Sequence, residues 1–208
     1  MTTLNIFQVE KNNDDIRKTI LTNIIKMLTE RKLLNYESLD KNIKNLQETG
    51  TDDYSYMLTV ENNKNDDEKK IAIKIFNQKI SGISKQSGIS DFLNKYKDIP
   101  KIIIVKSINT KSLLHVANNY PRTEIFLENQ LMVNLVDNVL VSKYELLERE
   151  TDDYKNFCEE YKCKKRNIPK LHIYDPTAKY YGLKKGDIVR VIRPSETSGK
   201  SPFYRIVI

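Results

Sequence analysis

The stretch KIIIVK at residues 101–106 constrains the fold more than any other part of this 208-residue chain. Its apolar residues follow one another without interruption, whereas a strand with one solvated face would alternate, so the run predicts a strand buried on both faces. Helical patterns flank it: SGISDFLNKYKDIP ends at Pro100, and TKSLLHVANNYP begins with Thr110 as its N-cap and ends before Pro121. A buried strand between two helices predicts an α/β domain.

Further patterns extend this domain. Asp14 and Asp15 precede apolar residues at helical spacing up to Leu28, which predicts an amphipathic helix, and a weaker helical pattern covers residues 36–46. The runs TDDYSYMLTVE and IAIKIF flank a charged turn and predict a β-hairpin. EIFLE and LMVNLV continue the alternation of strands and helices. The sequence thus predicts an N-terminal α/β domain over residues 1–140.

The last part of the chain has a different pattern. LVSKYELLERETDDYKNFCEEYKCKK is polar and helical in character, and Pro169 ends it. Asp175 and Pro176 then form an N-cap followed by a proline at the first helical position, and Gly182 supplies the stop of a short helix. The runs DIVRVIRP and FYRIVI predict two strands. Residues 141–208 are therefore predicted to form a second, smaller α+β domain.

Charge and cysteine content narrow the function classes. The formal net charge is +7, and residues 162–205 alone hold twelve Lys and Arg against three acids, which favours an acidic partner. No apolar run approaches the ~20 residues that span a bilayer, and no leader pattern begins the chain, so we expect a soluble, intracellular protein. The two cysteines, Cys158 and Cys163, do not form a C-x-x-C pair, and we expect neither a metal nor a cofactor.

A Gly-Lys-Ser sequence at residues 199–201 matches the end of a phosphate-binding loop. The position of the first glycine of that motif is Pro194, however, and Pro202 with the strand FYRIVI follows where a helix must begin. The pattern therefore indicates a polar connection between two strands.

A metal-dependent nuclease is a second enzymatic interpretation, because such enzymes hold Mg²⁺ with carboxylates on adjacent strands and use a lysine beside the attacking water. The candidate residues are Asp52, Asp53, Glu61, Glu68, Lys69 and Lys70. Because Glu68 and Lys70 fall in a charged run before the strand, a solvated hairpin turn is the favoured interpretation.

Aromatic and basic residues are interleaved near the C-terminus. Lys and Arg residues lie between and beside the aromatic residues Tyr174, Tyr180, Tyr181, Phe203 and Tyr204. This pattern suits nucleic acid, where aromatic faces stack on bases. It equally suits a protein interface, and composition does not separate the two.

The segment DPTAKYYGLKKGDIVRVIRPSETSGKSPFYRIVI closely resembles the C-terminal signature of the fifth subunit shared by the eukaryotic nuclear RNA polymerases, which has a shorter archaeal counterpart. The likeness extends upstream through IRKTI, ERKLLNYESLD and DIPKIIIVK followed by NTKS, which resemble the N-terminal jaw domain of the eukaryotic form.

The resemblance implies a non-catalytic subunit of a multisubunit DNA-directed RNA polymerase, without cofactor or metal. Its C-terminal domain would dock on the largest subunit, and its N-terminal domain would lie beside downstream double-stranded DNA. The assembly residues would be Asp175, Pro176, Tyr180, Gly182, Arg193, Pro194, Ser195, Glu196, Thr197, Tyr204 and Arg205.

The DNA-proximal segment of that family would fall on Thr110, Lys111 and Ser112, at a predicted helix start where backbone N–H groups favour phosphate. Lys111 stands where the family has proline, and Ser201-Pro202 replaces an aromatic-aliphatic pair.

The chain would work in the nucleus if it is cellular, and in a virion or a cytoplasmic virus factory if it is viral. Two alternatives from other classes remain open at this point: the Mg²⁺-dependent nuclease and a free-standing nucleic-acid-binding module.

Overall fold

The computed structural model describes residues 12–48, 54–60, 70–80, 82, 88–134, 142–162, 164–195 and 199–208. The chain divides into two compact units, residues 1–133 and 134–208, where the sequence predicted a boundary near residue 140. In the described ranges, no helix is both long and apolar enough to cross a membrane. Both units combine helices with a four-stranded sheet, which confirms the predicted α/β and α+β fold class.

The first unit alternates helices and strands. Its helices α1 to α5 are, in chain order, Asn13–Glu30, Leu39–Glu48, Ile89–Lys95, Thr110–Asn119 and Glu128–Leu131. Its strands β1 to β4 are Ser55–Thr59, Lys70–Ile80, Lys101–Ile108 and Thr123–Leu127. A 3₁₀ turn, Tyr36–Ser38, leads into α2.

The sheet of this unit has the strand order β1-β2-β3-β4. β1 and β2 pair antiparallel, as the predicted hairpin requires, whereas β2, β3 and β4 are parallel to one another. The predicted central strand is β3, which pairs on both sides. Parallel pairing needs crossover connections, and helices α3 and α4 provide them.

Both faces of β3 are buried, as its uninterrupted apolar sequence predicted. Ile103 and Val105 join a core with Phe92 of α3 and Val116 of α4. Ile102 and Ile104 point to the opposite face, because side chains alternate along a strand, and both are buried as well.

Polar contacts join helix α1 and the residue that follows it to strand β4 and helix α5. Glu124 of β4 is the register partner of Ile102, and it accepts two hydrogen bonds from the guanidinium of Arg31, at 2.9 and 2.8 Å. The buried amide of Asn23 donates to the carbonyl of Leu131 at 2.7 Å. Most other buried residues of α1 are apolar, so these directional polar contacts help to set the orientation of the helix.

Two local features of the first unit differ from expectation. The cap of α4 is Asn109, whose Oδ1 accepts from the backbone N–H of Lys111, rather than Thr110, because Asn109 is the residue with extended backbone before the helix. LMVNLV begins inside the helical turn α5, which Gln130 closes by accepting from the N–H of Leu127. Residues 135 and 136 lie outside the described residues.

The second unit forms a sheet of its own. Its strands β5 to β8 are Lys143–Leu147, Lys170–Leu171, Ile188–Ser195 and Gly199–Val207, in the order β5-β7-β8-β6. Its helices α6 and α7 are Asp152–Tyr161 and Pro176–Tyr180, with a 3₁₀ turn at Lys165–Asn167. β7 and β8 are the two predicted strands and form a hairpin.

The two helices cover opposite faces of this sheet. Val189 and Val191 of β7 pack with Ala178 of α7. Ile188, on the other face of the same strand, packs with Phe157 of α6. The second unit therefore has an apolar core on each side of its sheet.

Strand β5 was not predicted. KYELL lies inside the stretch expected to be helical, but it pairs antiparallel with β7 along its whole length. It is an edge strand with one buried residue, Leu147, so its sequence carries little of the apolar alternation that identifies a strand. The helical expectation is confirmed for α6, which lies within the same stretch.

Candidate functional site: a hairpin surface and a basic edge

The start of α7 is built by two of the predicted assembly residues. Asp175 accepts a hydrogen bond from the N–H of Thr177 at 2.9 Å, and Pro176 occupies the first helical position, where no N–H is required. A five-residue helix is too short to be stable by itself, so the cap and the packing of its buried face hold it.

The end of α7 is a Schellman motif centred on Gly182. The N–H of Leu183 donates to the carbonyl of Ala178, and the N–H of Gly182 donates to that of Lys179. Gly182 has φ of 63°, a left-handed backbone that glycine adopts without the penalty of a Cβ atom. The helix stop predicted from Gly182 therefore has a specific geometric cause.

Tyr180 is a buried anchor rather than a surface residue. Only 4% of it is exposed, and its hydroxyl donates to Oδ1 of Asn134 at 2.8 Å. Together with Asp175, Pro176 and Gly182, it shapes the segment that packs on the sheet, so these four predicted residues act as scaffold.

The β7–β8 hairpin carries the other predicted residues. Pro194 and Ser195 pair with Lys200 and Gly199, so the Gly-Lys-Ser sequence opens strand β8. A phosphate loop would instead lead into a helix, and the predicted rejection of a nucleotide site is therefore consistent with the fold. Glu196 and Thr197 lie outside the described residues.

Tyr204 lies on the hairpin face that α6 covers. Its ring centroid is 4.5 Å from that of Phe157 and 5.1 Å from that of Tyr161. On the same face, Arg190 is paired within the chain: its guanidinium contacts Glu145 at 2.7 Å and Asp153 at 3.8 Å. The hydrogen bond from Arg190 to Glu145 raises the pKa of the arginine.

The opposite face of the hairpin carries what we call the arginine ladder, the three residues Arg193, Phe203 and Arg205. The guanidinium carbon of Arg193 is 5.9 Å from the centroid of the Phe203 ring, and that of Arg205 is 5.4 Å from it. Arg193 is exposed, and Arg205 is half-buried. Among the described residues, neither arginine of the ladder forms an ion pair.

The outer edge of β8 is interrupted by a proline. The N–H groups of Ile206 and Ile208 donate outward to Pro169 and Leu171, whereas Val207 donates inward to Asp187. Because these directions alternate along a strand, position 202 would present its N–H on the outer edge, and Pro202 has none. Proline at this position blocks continuous pairing with an added strand.

A second candidate surface lies at the start of α4, where the predicted DNA-proximal residues are found. Thr110 and Lys111 are exposed, but Ser112 is 6% exposed and its side chain faces the protein. The expected contact by two hydroxyl groups is thus reduced to one, that of Thr110, beside the ammonium of Lys111.

Two exposed lysines missed at the sequence level extend this surface. Lys79 is the register partner of Ser107, the residue after Lys106, so both lysines lie near the carboxyl ends of β2 and β3, where α4 begins. We call Lys79, Lys106 and Lys111 the basic edge. The parallel register of β2 and β3 brings these backbone positions to one end of the sheet, which no local sequence pattern reveals. Lys79 and Lys106 project to opposite faces of the sheet at that end, because Lys106 precedes the register partner of Lys79.

Most of the residues considered for a nuclease site fall outside the part of the chain that the structure describes. Asp52, Asp53, Glu61, Glu68 and Lys69 lie outside the described residues, and Lys70 begins β2. Within the ranges that the structure covers, no group of three or more His, Cys, Asp or Glu side chains is arranged to hold a metal ion.

Comparison with known proteins provides the family. The model of the "RNA polymerase Rpb5, C-terminal domain" matches residues 133–207. Subunit 5 of the DNA-directed RNA polymerase of Acanthamoeba polyphaga mimivirus is 34% identical to this chain, over 98% of the chain and 97% of that protein. The chain belongs to the RNA polymerase Rpb5 family.

Cellular relatives agree with this assignment. RPABC1 of Caenorhabditis briggsae, a subunit of DNA-directed RNA polymerases I, II and III, is 31% identical over 93% of the chain and 94% of its own length. Its namesake in Dictyostelium discoideum is 39% identical over 41% of the chain and 42% of its own length. As an Rpb5-family protein, the chain is a non-catalytic component of a multisubunit DNA-directed RNA polymerase, whose other subunits are its partners. This membership, rather than any missing metal, sets aside the nuclease interpretation.

Proposed function

We propose that the second unit docks the chain on the largest subunit of its polymerase, and that the basic edge of the first unit contacts downstream double-stranded DNA. The chain would thereby support transcription by assembly and by holding the template, without taking part in the chemistry.

One observation carries the docking proposal: the family match at residues 133–207 coincides with the compact unit at residues 134–208. That unit has cores of its own on both sheet faces, so it does not need a partner to bury its apolar residues. The hairpin residues that remain accessible, above all Arg193, are available for a partner.

Affinity purification of the tagged chain, followed by mass spectrometry, tests the docking proposal. We expect stoichiometric recovery of the largest polymerase subunit. Arg193→Glu should lower that recovery at least tenfold, because like charges brought together at an interface cost several kcal/mol and about 1.4 kcal/mol is a factor of ten. Lys200→Ala, an exposed position on the same hairpin, is the matched control and should leave recovery unchanged. Recovery of the tagged chain without the largest subunit would overturn the proposal.

The DNA proposal rests on charge at the basic edge. Residues 70–80 and 101–119 contain no Asp or Glu, so no carboxylate within these segments offsets Lys79, Lys106 and Lys111. A ten-residue helix, α4, begins at the same place and adds the positive end of its dipole. Lysines and backbone N–H groups bind DNA through its phosphates, which are the same for every base pair. We therefore expect contacts that do not depend on DNA sequence.

Cross-linking of the assembled polymerase to a downstream DNA duplex tests this second part. Lys106→Gln and Lys111→Gln should each weaken the cross-link to this subunit, and each should reduce the salt dependence of template binding by about one counterion. Lys41→Gln, at an exposed lysine of α2, is the control. If all three variants cross-linked to DNA as strongly as wild type, the basic edge would be ruled out as a DNA contact.

We also propose that the compartment of the chain follows that of its polymerase. It would be the nucleus for a cellular enzyme, and a virion or cytoplasmic virus factory for a viral one. Fractionation with antibodies against the chain and the largest subunit tests this, since separate compartments would contradict it.

A further inference from the structure

Two acidic side chains in the C-terminal part of the second unit accept hydrogen bonds from nearby backbone N–H groups and do not contact the arginine ladder. Of the three acids in residues 162–205, Asp175 accepts from the N–H of Thr177, and Asp187 accepts from the N–H of Lys184 at 2.7 Å. The third acid, Glu196, lies outside the described residues. Neither of these two described carboxylates forms an ion pair with Arg193 or Arg205, whereas Arg190 is paired with Glu145 and Asp153 from outside this segment.

The arginine ladder presents two cations from one sheet face. Val191 pairs with Phe203, and the flanking pairs on this face are Arg193 with Ser201 and Val189 with Arg205. The two arginines thus lie on either side of Phe203 along the strand direction. A ring beneath a guanidinium contacts its planar face and leaves the N–H groups at its edge available to an acceptor.

Arg205 carries an unsatisfied polar atom. Its Nε is buried and has no hydrogen-bond partner among the described residues. A buried donor without an acceptor is costly, more so when it belongs to a charged group. Its half-buried cation is already partly desolvated, so an acidic partner would meet a smaller desolvation cost there than at a hydrated lysine.

We infer that the arginine ladder receives an acidic segment of a partner polymerase subunit, with carboxylates accepting from Arg193 and Arg205. This inference rests on the proposed docking function and adds the chemistry of the partner. Carboxylate and guanidinium match as two-pronged acceptor and donor, which gives geometric specificity as well as attraction. The segment would bind through side chains, because Pro202 prevents it from pairing along the outer edge of β8.

Zero-length cross-linking of the assembled polymerase tests the inference. A carbodiimide joins a lysine amine to a carboxylate in contact with it but does not couple a guanidinium. We expect Arg193→Lys and Arg205→Lys, each incorporated into the complete complex, to produce a new amide link from the substituted position to an Asp or Glu of another subunit. Wild type should give no link at either position.

Arg190→Lys is the matched control, because Arg190 already contacts Glu145 within the chain and the variant should link to that residue. Arg193→Lys keeps the positive charge at an exposed position, so this variant should still assemble into the complex. If the polymerase assembles and the Arg190→Lys link forms, but neither ladder variant links to an acidic residue, the inference fails while the docking proposal stands. Attachment of the same positions to DNA by formaldehyde, without any carboxylate link, would also overturn it. Failure to recover polymerase subunits at all would instead remove the docking proposal.

Discussion

The hydroxyl of Tyr180 donates a buried hydrogen bond to the side chain of Asn134, across 46 positions of sequence. Asn134 is the first residue of the second unit, and Tyr180 is the last residue of α7. This bond ties the beginning of the unit to the helix that covers one face of its sheet. Asn134 therefore belongs structurally to the module that follows it.

Removing that hydroxyl should destabilise the second unit. We expect Tyr180→Phe to cost about 1–2 kcal/mol, because the buried amide of Asn134 loses a hydrogen-bond donor while the packing of the ring is kept. Hydrogen exchange of amides in β7 and β8 measures this in the full chain, separately from the first unit. Tyr174→Phe, at a residue that is 67% exposed, is the control and should leave the exchange rates unchanged. Equal protection in both variants would contradict the assigned role of the bond.

The stop of α7 gives a second prediction. Gly182→Ala should destabilise the second unit by about 1–2 kcal/mol, because alanine resists the left-handed backbone at φ of 63°. Gly82→Ala is a matched control, since an added Cβ there meets nothing within 4 Å and the residue has no positive φ. Thermal unfolding with peptide-resolved proteolysis distinguishes the two variants. A Gly182→Ala protein as resistant as wild type would show that the Schellman geometry is dispensable.

Much of the second unit was predictable because its signals are local. Asp175 starts the helix by accepting from a free backbone N–H, and Pro176 has no N–H that needs a partner. Gly182 ends the helix because glycine adopts the left-handed backbone easily, so neighbouring residues alone specify α7. The first unit was predictable at β3 for a related reason: an apolar run without alternation requires cover on both faces.

The remaining features depend on partners distant in sequence. β5 has little apolar alternation because it lies at an edge, and the two-residue strand β6 exists only through its pairing with β8. The arginine ladder requires the β7–β8 register, and the basic edge requires the register of β2 with β3. The sequence identifies the basic and aromatic residues themselves, but it does not show which of them lie next to one another in the fold.

The ion pair between Arg31 and Glu124 gives a third prediction. The side chain of Arg31 is only 8% exposed, and both its contacts to Glu124 are shorter than 3 Å. Arg31→Lys should destabilise the first unit by about 1 kcal/mol, since an ammonium cannot reproduce the two parallel bonds, and the partial exposure of Glu124 limits the loss. Urea denaturation measures the change.

The exposed pair of Lys155 and Asp152, at 3.2 Å, supplies the comparison for Arg31. Lys155→Gln removes that pair and should change stability by no more than a few tenths of a kcal/mol. If both substitutions had the same small effect, the contact of α1 with β4 would not depend on Arg31.

Lys101 gives a pH-dependent prediction. Only 1% of this residue is exposed, and its ammonium donates to the carbonyls of Lys97 and Ile99 at 3.2 and 3.3 Å. Burial lowers the pKa of Lys101 below its ordinary value, and this outweighs the opposing effect of Asp98. The folded state therefore releases this proton at a lower pH than the unfolded chain does.

The sign of the effect follows from proton binding. Between the lowered folded pKa and the ordinary lysine pKa of about 10.4, the unfolded state binds more protons, so stability should rise with pH in this window. Below the folded pKa the contribution is constant. Urea unfolding of wild type and Lys101→Met across alkaline pH isolates it, because the tyrosines that titrate in this range contribute equally to both proteins. Wild type should gain stability relative to the variant as pH rises, and parallel curves would show that burial does not destabilise the Lys101 ammonium.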